Sequence, residues 1–189
     1  MSPVSEVNKR LDDFVRVEIV SNHEQLLHVF AVRSICFIEE NGIPAKYEFD
    51  GNDFQSTHVI IYANEEPVGC SRLRWFRGFA KMERTCLRKA YRSNDMLRYC
   101  SSFIFKHIAK KGYDRVIIHA KPKLARLWRS LLGFVPVNEK VAVLFEKQTE
   151  PYVELIKYID SDENAITEHM DIAMLFRIEG QWDTALEYE

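Results

Sequence analysis

The sequence predicts an α/β fold in which helices cover both faces of a mixed β-sheet. Three strand patterns follow one another between residues 58 and 87 with only short turns between them, which favours antiparallel pairing. Strand–helix–strand patterns on either side require parallel neighbours or crossover connections instead. At 189 residues with 47% hydrophobic content, the chain is long enough for one such domain with an appendage.

The N-terminal elements are a strand and a long helix. Residues 15–20 alternate between apolar and polar side chains, as a half-buried strand does. Asn22 is a suitable N-cap for a helix over residues 23–40, and Gly42 and Pro44 end it. Residues 45–57 are predicted to form an acidic loop with a turn at Gly51.

The remaining elements follow from the same periodicities. In chain order they are predicted as strands 58–63, 68–77 and 79–87, a helix 96–111, a strand 115–120, a helix 124–132, strands within 136–147, a loop or helix over 151–160 and a helix over 164–180. Turns at residues 64–67 and at Gly78 separate the first three strands, and Gly112 suits a helix C-cap.

Charge divides the chain into two parts. The formal net charge is −2, yet 11 acidic and 2 basic residues follow from Thr149 onward, which leaves +7 for the first 148 residues. We therefore predict a basic domain at residues 1–148 and an acidic helical extension at residues 149–189. A basic body suits a polyanionic ligand, or solubility alone. The extension is expected to fold back as an amphipathic helix, with a dimer arm, and hence a homodimer, as the alternative.

The cysteines indicate a reducing compartment. The four, which form no CxxC pair and lie in apolar helix or strand patterns, are Cys36, Cys70, Cys86 and Cys100. They are predicted to be buried free thiols. Residues 1–10 lack the apolar core of a signal peptide, and no apolar run approaches the ~20 residues of a membrane span. We expect a cytoplasmic protein without a membrane span.

A basic turn lies at the start of the helix 96–111. Its cations are Arg88, Lys89, Arg92 and Arg98. They lie close to the free N–H groups of a helix N-terminus, and such a site can hold a phosphate. In the alternative interpretation, which is purely structural, the helix is capped by Ser93, Asn94 or Asp95.

A second set of side chains brackets the acidic loop. It comprises Arg33, Phe37, Glu40, Asp50, Asp53 and His58. Its carboxylates and imidazole could converge at the sheet edge and attract a cationic amine, with His58 or Glu40 relaying a proton. Two alternatives stay open, a loop pinned by hydrogen bonds and a metal site with oxygen and imidazole ligands. We expect no metal.

Two segments resemble a known family. Residues 82–134 read as strand, turn, helix, strand and helix and end in Leu132-Gly133-Phe134, which resembles the centre of the GNAT superfamily of acyl-CoA N-acyltransferases. The set around the acidic loop resembles the ElaA-like branch, with Arg-x-x-Val-Phe-x-x-Glu-Gln, then Asp-x-x-Asp, then His. Cys36 and Asn41 depart from that pattern. The resemblance covers residues 15–146 and implies a partly splayed sheet.

The resemblance also implies acetyl-CoA or another acyl-CoA as co-substrate. Backbone groups near Cys86 and Leu87, on a strand splayed from its neighbour, would pair with the pantetheine arm. The residues of the implied diphosphate turn are Arg92, Ser93, Asn94, Asp95, Met96 and Leu97. Asp95 and Leu97 replace the small residues of the family. Arg129 occupies the position where many members have a tyrosine that protonates the departing thiolate.

Acyl transfer to an amine needs a group that takes a proton before the amine attacks the thioester. Glu83 is one candidate and His119, at the cleft end of its strand, is another; the structural alternatives are a Glu–Arg pair and a core histidine. His58 and Glu40 complete the candidates. The residues expected to bind the small-molecule amine are Arg33, Phe37, Asp50 and Asp53.

The predicted function is transfer of an acyl group, most simply acetyl, from a CoA thioester to a primary amine. One alternative uses a long-chain donor or acyl-carrier protein, because Glu48, Asp50 and Asp53 have the spacing seen in acyl-homoserine lactone synthases and related N-acyl amino acid synthases. A second alternative is a non-catalytic binding module, which the missing small residues and tyrosine favour. The cations near Trp75 accompany no nucleic-acid motif, so no nucleic acid is expected.

Overall fold

The computed structural model describes Leu11, residues 13–138, the backbone of residues 142–143, and residues 151–183. The predicted mixed sheet is confirmed. Its strands in these residues are β1 (Val15–Ile19), β2 (Thr57–Ala63), β3 (Glu66–Phe76), β4 (Phe79–Leu87), β5 (Arg115–Ala120), β6 (Val135–Pro136), β7 (Ala142–Val143) and β8 (Tyr152–Tyr158). Their order is β1-β2-β3-β4-β5-β8-β6, and β7 also pairs with β8. Only β4 and β5 are parallel among the described pairs.

Helices lie on both faces of the sheet, as predicted. They are α1 (His23–Arg33), α2 (Ala45–Glu48), α3 (Asn94–Lys110), α4 (Pro122–Leu132) and α5 (Ile172–Leu175), with a π-helix at Ser34–Glu39 and 3₁₀ turns at Asn52–Gln55 and Lys89–Tyr91. α1 and the π-helix pack on Ile60 and Cys70. α3 packs on Leu73 and Met82. Alternating strand residues therefore contribute to apolar clusters on both faces of the sheet.

The helix ends follow the predicted capping. The Asn22 side chain accepts a hydrogen bond from Gln25 N at 2.9 Å and so caps α1. Ser93 caps α3 in the same way, because its Oγ accepts from Met96 N at 3.1 Å. Gly112, the predicted C-cap glycine, follows the end of α3 with φ +82°, and Gly133 follows α4 in the same left-handed conformation with φ +73°.

β4 and β5 separate along most of their length. Their described pairing consists of Ala80↔Val116 and Lys81↔Ile117. Beyond Lys81, β4 continues for six residues, to Leu87, without a described ladder to β5. The sheet therefore opens into a wedge-shaped gap, named here the β4–β5 gap, and the predicted splay is confirmed.

A β-bulge bends β4 where the gap opens. The register with β3 runs from Cys70↔Cys86 to Arg72↔Glu83, so β4 has one more residue than β3 between these pairs. Arg84 sits in the bulge with φ +53°, a conformation that non-glycine residues rarely adopt. Such backbone persists only where the surrounding contacts hold it.

The acidic C-terminal region differs from its prediction. Residues 151–160 were expected to form a loop or helix, but β8 pairs antiparallel with β5 from Arg115↔Tyr158 to Ala120↔Val153. The reason is the apolar side chain of Leu155, which is fully buried in the main core. The segment is therefore a central strand, flanked on both sides.

The helix expected over residues 164–180 is also wrong, since only α5 is an α-helix there. Side chains bind nearby backbone N–H groups instead: Asp162 accepts from Asn164 N at 2.8 Å and Asp171 from Ala173 N at 3.0 Å. Such local bonds compete with a helix. The proposed domain boundary at residue 148, and most of residues 136–147, lie outside the described residues, so the division into two domains stays a prediction.

The C-terminal tail folds back onto the sheet at the end opposite the gap. The Glu179 carboxylate is 2.9 Å from His107 Nε2 and 2.8 Å from Lys111 Nζ, near the C-terminus of α3, and it accepts from Thr57 Oγ1 at 3.0 Å. A Cβ added at Gly180 would come within 2.6 Å of the Ile19 side chain, so the Gly180 backbone packs directly against that side chain. No helix in the described part of the chain combines the length and apolar character needed to cross a membrane.

Candidate active site

Three arginines bind the acidic loop to the sheet beside the gap. Arg33 and Arg72 are fully buried. The ion pairs that join the arginines to the loop are Arg33–Glu48 at 2.6 Å, Arg33–Asp53 at 2.6 Å, Arg72–Asp50 at 2.8 Å, Arg72–Asp53 at 2.9 Å, Arg84–Glu48 at 3.0 Å and Arg84–Asp50 at 3.2 Å. We call these residues the arginine network. The network covers the bulge and fixes the loop against it.

Burial and ion pairing shift the pKa values of the carboxyl groups in the network in opposite directions. Burial alone raises the pKa of Asp50 and Asp53, but the guanidinium groups of Arg72 and Arg33 outweigh it and lower both values. For Glu48, which is 1% exposed, burial prevails over Arg84 and Arg33 and raises the pKa. Asp50 and Asp53 therefore remain charged through neutral pH.

The structure places the predicted amine-binding residues within or beside this network. Arg33, Asp50 and Asp53 belong to it, so their charges are engaged with one another. Phe37 packs on the apolar core beneath α1. Their contact with an amine stays a prediction, and the geometry gives them a clear role in holding the loop.

Glu83 and His119 flank the β4–β5 gap. Two residues beyond the last described pair, Lys81↔Ile117, each strand places one of them on the same face of the sheet. Glu83 Oε2 accepts from Arg72 at 3.0 Å, while Oε1 is buried and has no hydrogen-bond partner among the described residues. His119 Nε2 lies 2.9 Å from Glu154 on β8.

The other two candidate proton acceptors do not lie with Glu83 and His119. His58 is one strand beyond Arg72, since the cross-strand pairs are His58↔Arg72 and Arg72↔Glu83. Its Nε2 is 3.0 Å from the Asp53 carbonyl oxygen, and burial lowers its pKa. Glu40 forms an ion pair with Arg92 at the far end of β4. Neither is placed beside Glu83.

The basic turn joins β4 to α3. Arg92 Nε donates to Leu87 O at 2.7 Å, and its guanidinium also binds Glu40. Ser93 caps α3, whereas the Asp95 side chain is exposed and lies 3.6 Å from Arg98. The helix cap therefore agrees with the purely structural interpretation of this turn. A phosphate could bind the Arg92 side chain only by displacing its contacts with Leu87 O and Glu40.

The apolar residues of the turn and the last helix have structural contacts. Met96 is buried with Leu87 in the core cluster under the turn. Leu97 packs on the main core. Asn94 is the first residue of α3, where its N–H has no partner within the helix. Arg129 is exposed on α4, and its carbonyl accepts from Gly133 N at 3.1 Å.

A separate cavity of about 860 Å³ lies between the start of α1, the acidic loop and the tail. His58 and Asp53 form part of its wall, with Phe30, Phe49 and Ile178. It is therefore on the far side of the arginine network from the gap. The described residues contain no group of three or more histidine, cysteine, aspartate or glutamate side chains arranged to hold a metal ion.

Sequence reasoning missed Arg72, Arg84 and Glu154. Arg72 and Arg84 belong to the arginine network, and Glu154 contacts His119. The available signal was the alternation of Arg72 and Arg74 with apolar residues, which puts both on the face that Glu83 shares. Their partners depend on strand register, and register was not predicted.

The comparisons with known proteins agree with this geometry. No protein-family model matches the chain. The uncharacterized N-acetyltransferase YjcF of Bacillus subtilis is 31% identical over 126 residues, covering 67% of this chain and 89% of the relative.

The chain belongs to the GNAT superfamily of N-acyltransferases.

Solved GNAT structures share the fold. A structure from Lactobacillus plantarum has a TM-score of 0.68 at 24% identity and covers 77% of this chain and 98% of that one. Escherichia coli ElaA has a TM-score of 0.61 at 18% identity, covering 76% and 97%. A GNAT acetyltransferase from Elizabethkingia anophelis, solved with acetyl-CoA bound, has a TM-score of 0.59 at 12% identity, covering 78% and 99%. The predicted resemblance to the ElaA-like branch is confirmed.

Proposed function

We propose that this GNAT protein transfers an acyl group, most simply acetyl, from an acyl-CoA to a primary amine. The observation that carries the proposal is the β4–β5 gap, because an extended thioester arm can lie between strands that do not pair. The arm would use backbone groups near Cys86 and Leu87, and the thioester carbonyl would meet backbone N–H groups at the bulge. A related acetyltransferase structure with acetyl-CoA bound supports the choice of donor.

The amine would approach from the face that carries Glu83 and His119. Both side chains flank the gap, so either is within reach of a nitrogen that attacks a thioester lying in it. Glu83 and the loop carboxylates attract a cationic amine. The tail segment around Glu179 binds Thr57 at the opposite end of the sheet, whereas Glu154 of the same acidic region lies beside His119.

A second candidate donor is an acyl-carrier protein or a long-chain acyl thioester. One observation favours it: Arg92, the expected phosphate ligand, is bound to Leu87 O and Glu40, and the carboxylate of Asp95 stands nearby. A donor without a diphosphate at this turn would avoid that carboxylate. The same observation favours a non-catalytic module if no donor binds.

Thermal unfolding with acetyl-CoA, CoA, a long-chain acyl-CoA and pantetheine tests these proposals. We expect the CoA species to stabilise the protein saturably, by about 2.7 kcal/mol at 100-fold excess over Kd. Release of free thiol from acetyl-CoA with a panel of primary amines then measures turnover. If none of the ligands stabilises the protein, the CoA proposal is wrong. If acetyl-CoA binds but no amine in the panel causes thiol release, the non-catalytic module is favoured.

We also propose a cytoplasmic location and a protein that works without nucleic acid. The four cysteines are free thiols, and Cys70 Sγ lies 3.6 Å from Cys86 Sγ. Thiols so close together suit a reducing compartment. Of the arginines considered for nucleic acid, Arg72 is fully buried and cannot reach a phosphate backbone.

A further inference from the structure

A row of polar side chains crosses the sheet at the level where the gap opens. Arg72 on β3 is the cross-strand partner of Glu83 on β4, and His119 on β5 is the partner of Glu154 on β8. Glu83 and His119 each lie two residues beyond the last described pair of β4 and β5, Lys81↔Ile117, on opposite sides of the gap. The row thus brings Glu154, from the acidic C-terminal region, to the edge of the candidate active site.

The contact between His119 and Glu154 is short and directional. His119 Nε2 lies 2.9 Å from Glu154 Oε2, with side-chain exposures of 16% and 34%. An ionised carboxylate can only accept a hydrogen bond, so Nε2 carries the proton and Nδ1 the lone pair of the neutral ring. The imidazole can therefore accept a second proton at Nδ1, and the Glu154 carboxylate would stabilise the imidazolium that forms.

Charged groups from two strands act on this imidazole. Lys81 and Glu83 reach it from β4, and Glu154 from β8. Burial lowers the pKa of His119 first, Lys81 lowers it further, and Glu154 opposes both. The ring is accordingly neutral at neutral pH, which is the form that a proton acceptor needs.

We propose that His119 is the proton acceptor of the transfer reaction and that Glu154 is the residue that positions it. This inference rests on the proposed acyl transfer. His119 takes one proton from the ammonium of the substrate, and the free amine attacks the thioester carbonyl. The C–N bond forms and the C–S bond breaks. The second nitrogen proton goes to the departing thiolate, which leaves as CoA thiol, and His119 returns its proton to solvent.

Glu83 has a different part in this assignment. Its Oε2 is already bound by Arg72, whereas its Oε1 has no hydrogen-bond partner among the described residues and lies 3.6 Å from Arg74. It attracts and orients the ammonium group while His119 removes the proton. Of the two carboxylates at the gap, Glu83 therefore binds the amine and Glu154 positions the base.

The test compares the variants His119→Asn, Glu154→Gln and Glu154→Asp by the pH dependence of thiol release. We expect kcat at neutral pH to fall about 100-fold in His119→Asn and at least about tenfold in Glu154→Gln. In Glu154→Gln the acid limb should also move to lower pH, because the carboxylate no longer stabilises the imidazolium. Glu154→Asp keeps the charge and should restore most of the rate and the limb.

Nitrogen-15 NMR of the imidazoles detects the contact between His119 and Glu154 without requiring turnover. In the wild type, neutral His119 should carry its proton on Nε2, and Glu154→Gln should lower the pH at which it titrates. Glu168→Gln is the matched control, since it removes an exposed carboxylate beside His169. An unchanged His119 titration and rate in Glu154→Gln overturn this inference alone. Absence of thiol release from the wild type overturns the proposed transfer and this inference together.

Discussion

Glu83 is the residue on which amine binding would depend in the proposed site. Its carboxylate is held by Arg72 at 3.0 Å and lies 3.6 Å from Arg74 and 3.9 Å from Lys81. These contacts fix its position at the edge of the gap. A residue held in this way contributes its charge to binding at little cost in side-chain entropy.

Glu83→Gln should weaken amine binding more than it slows the reaction. We expect the KM for the amine to rise about tenfold and kcat to change by less than about threefold, because a charge-assisted hydrogen bond is lost in both ground and transition states. Steady-state thiol release measures both constants. Glu18→Gln, on the edge strand β1, is the control and should match the wild type.

A different outcome would assign the role of proton acceptor to Glu83. If Glu83→Gln lowers kcat about 100-fold and leaves the KM unchanged, Glu83 is the general base. His119 would then lose that role.

At the scale of elements, local periodicity predicted most of the fold. The strands β1 to β5 and the helices α1, α3 and α4 follow from apolar spacing and capping residues that lie within each segment. β8 was not predicted because the sequence around it is acidic and because its burial depends on pairing with β5, more than thirty residues earlier. Non-local pairing of this kind leaves little trace in a short window of sequence.

The candidate site was predictable in its residue types and much less so in its contacts. Glu40, Asp50, Asp53 and His58 were expected to converge. Asp50, Asp53 and His58 do lie close together, whereas Glu40 pairs with Arg92 instead. Their partners Arg72 and Arg84 come from strands whose register and bulge decide which side chains meet. The sequence shows which charges are present, and only the register shows which of them cancel.

The arginine network should hold the acidic loop energetically as well as geometrically. Arg72→Met leaves the carboxylates of Asp50, Asp53 and Glu83 without their shared cation, so we expect a loss of about 3–5 kcal/mol in the free energy of unfolding. Urea denaturation measures it. Arg74→Met is matched in strand and chemistry but partly exposed, and it should cost less than about 1 kcal/mol.

Equal losses in the two variants would contradict this assignment. The loop would then be held by Arg33, Arg84 and its apolar contacts, without a net contribution from Arg72.

At the scale of the whole molecule, the tail and the body are joined by Glu179. Burial alone would raise its pKa, but hydrogen bonds from His107 and Lys111 outweigh burial and lower the pKa from the usual 4.5 to about 2. A carboxyl group with a lowered folded-state pKa stabilises the protein above the unfolded pKa. Its contribution is lost as the pH falls from about 4.5 toward 2.

Glu179→Gln should therefore remove a pH-dependent part of the stability. The difference in the free energy of unfolding between wild type and variant should be largest above pH 5 and should shrink steadily toward pH 2. Chemical denaturation at a series of pH values provides the measurement, with Glu163→Gln as the exposed control in the same tail. A difference that stays constant with pH would show that Glu179 acts through packing alone.

The unpaired stretch of β4 also bears on how long each molecule survives. The six residues of β4 beyond Lys81 have no described ladder to β5, and a ligand that pairs with them would bind only the folded state. Molecules without a bound ligand should open more often and be cleaved sooner by proteases. If that ligand is the proposed acyl donor, the cellular abundance of the protein should rise and fall with the donor supply, even when transcription is constant.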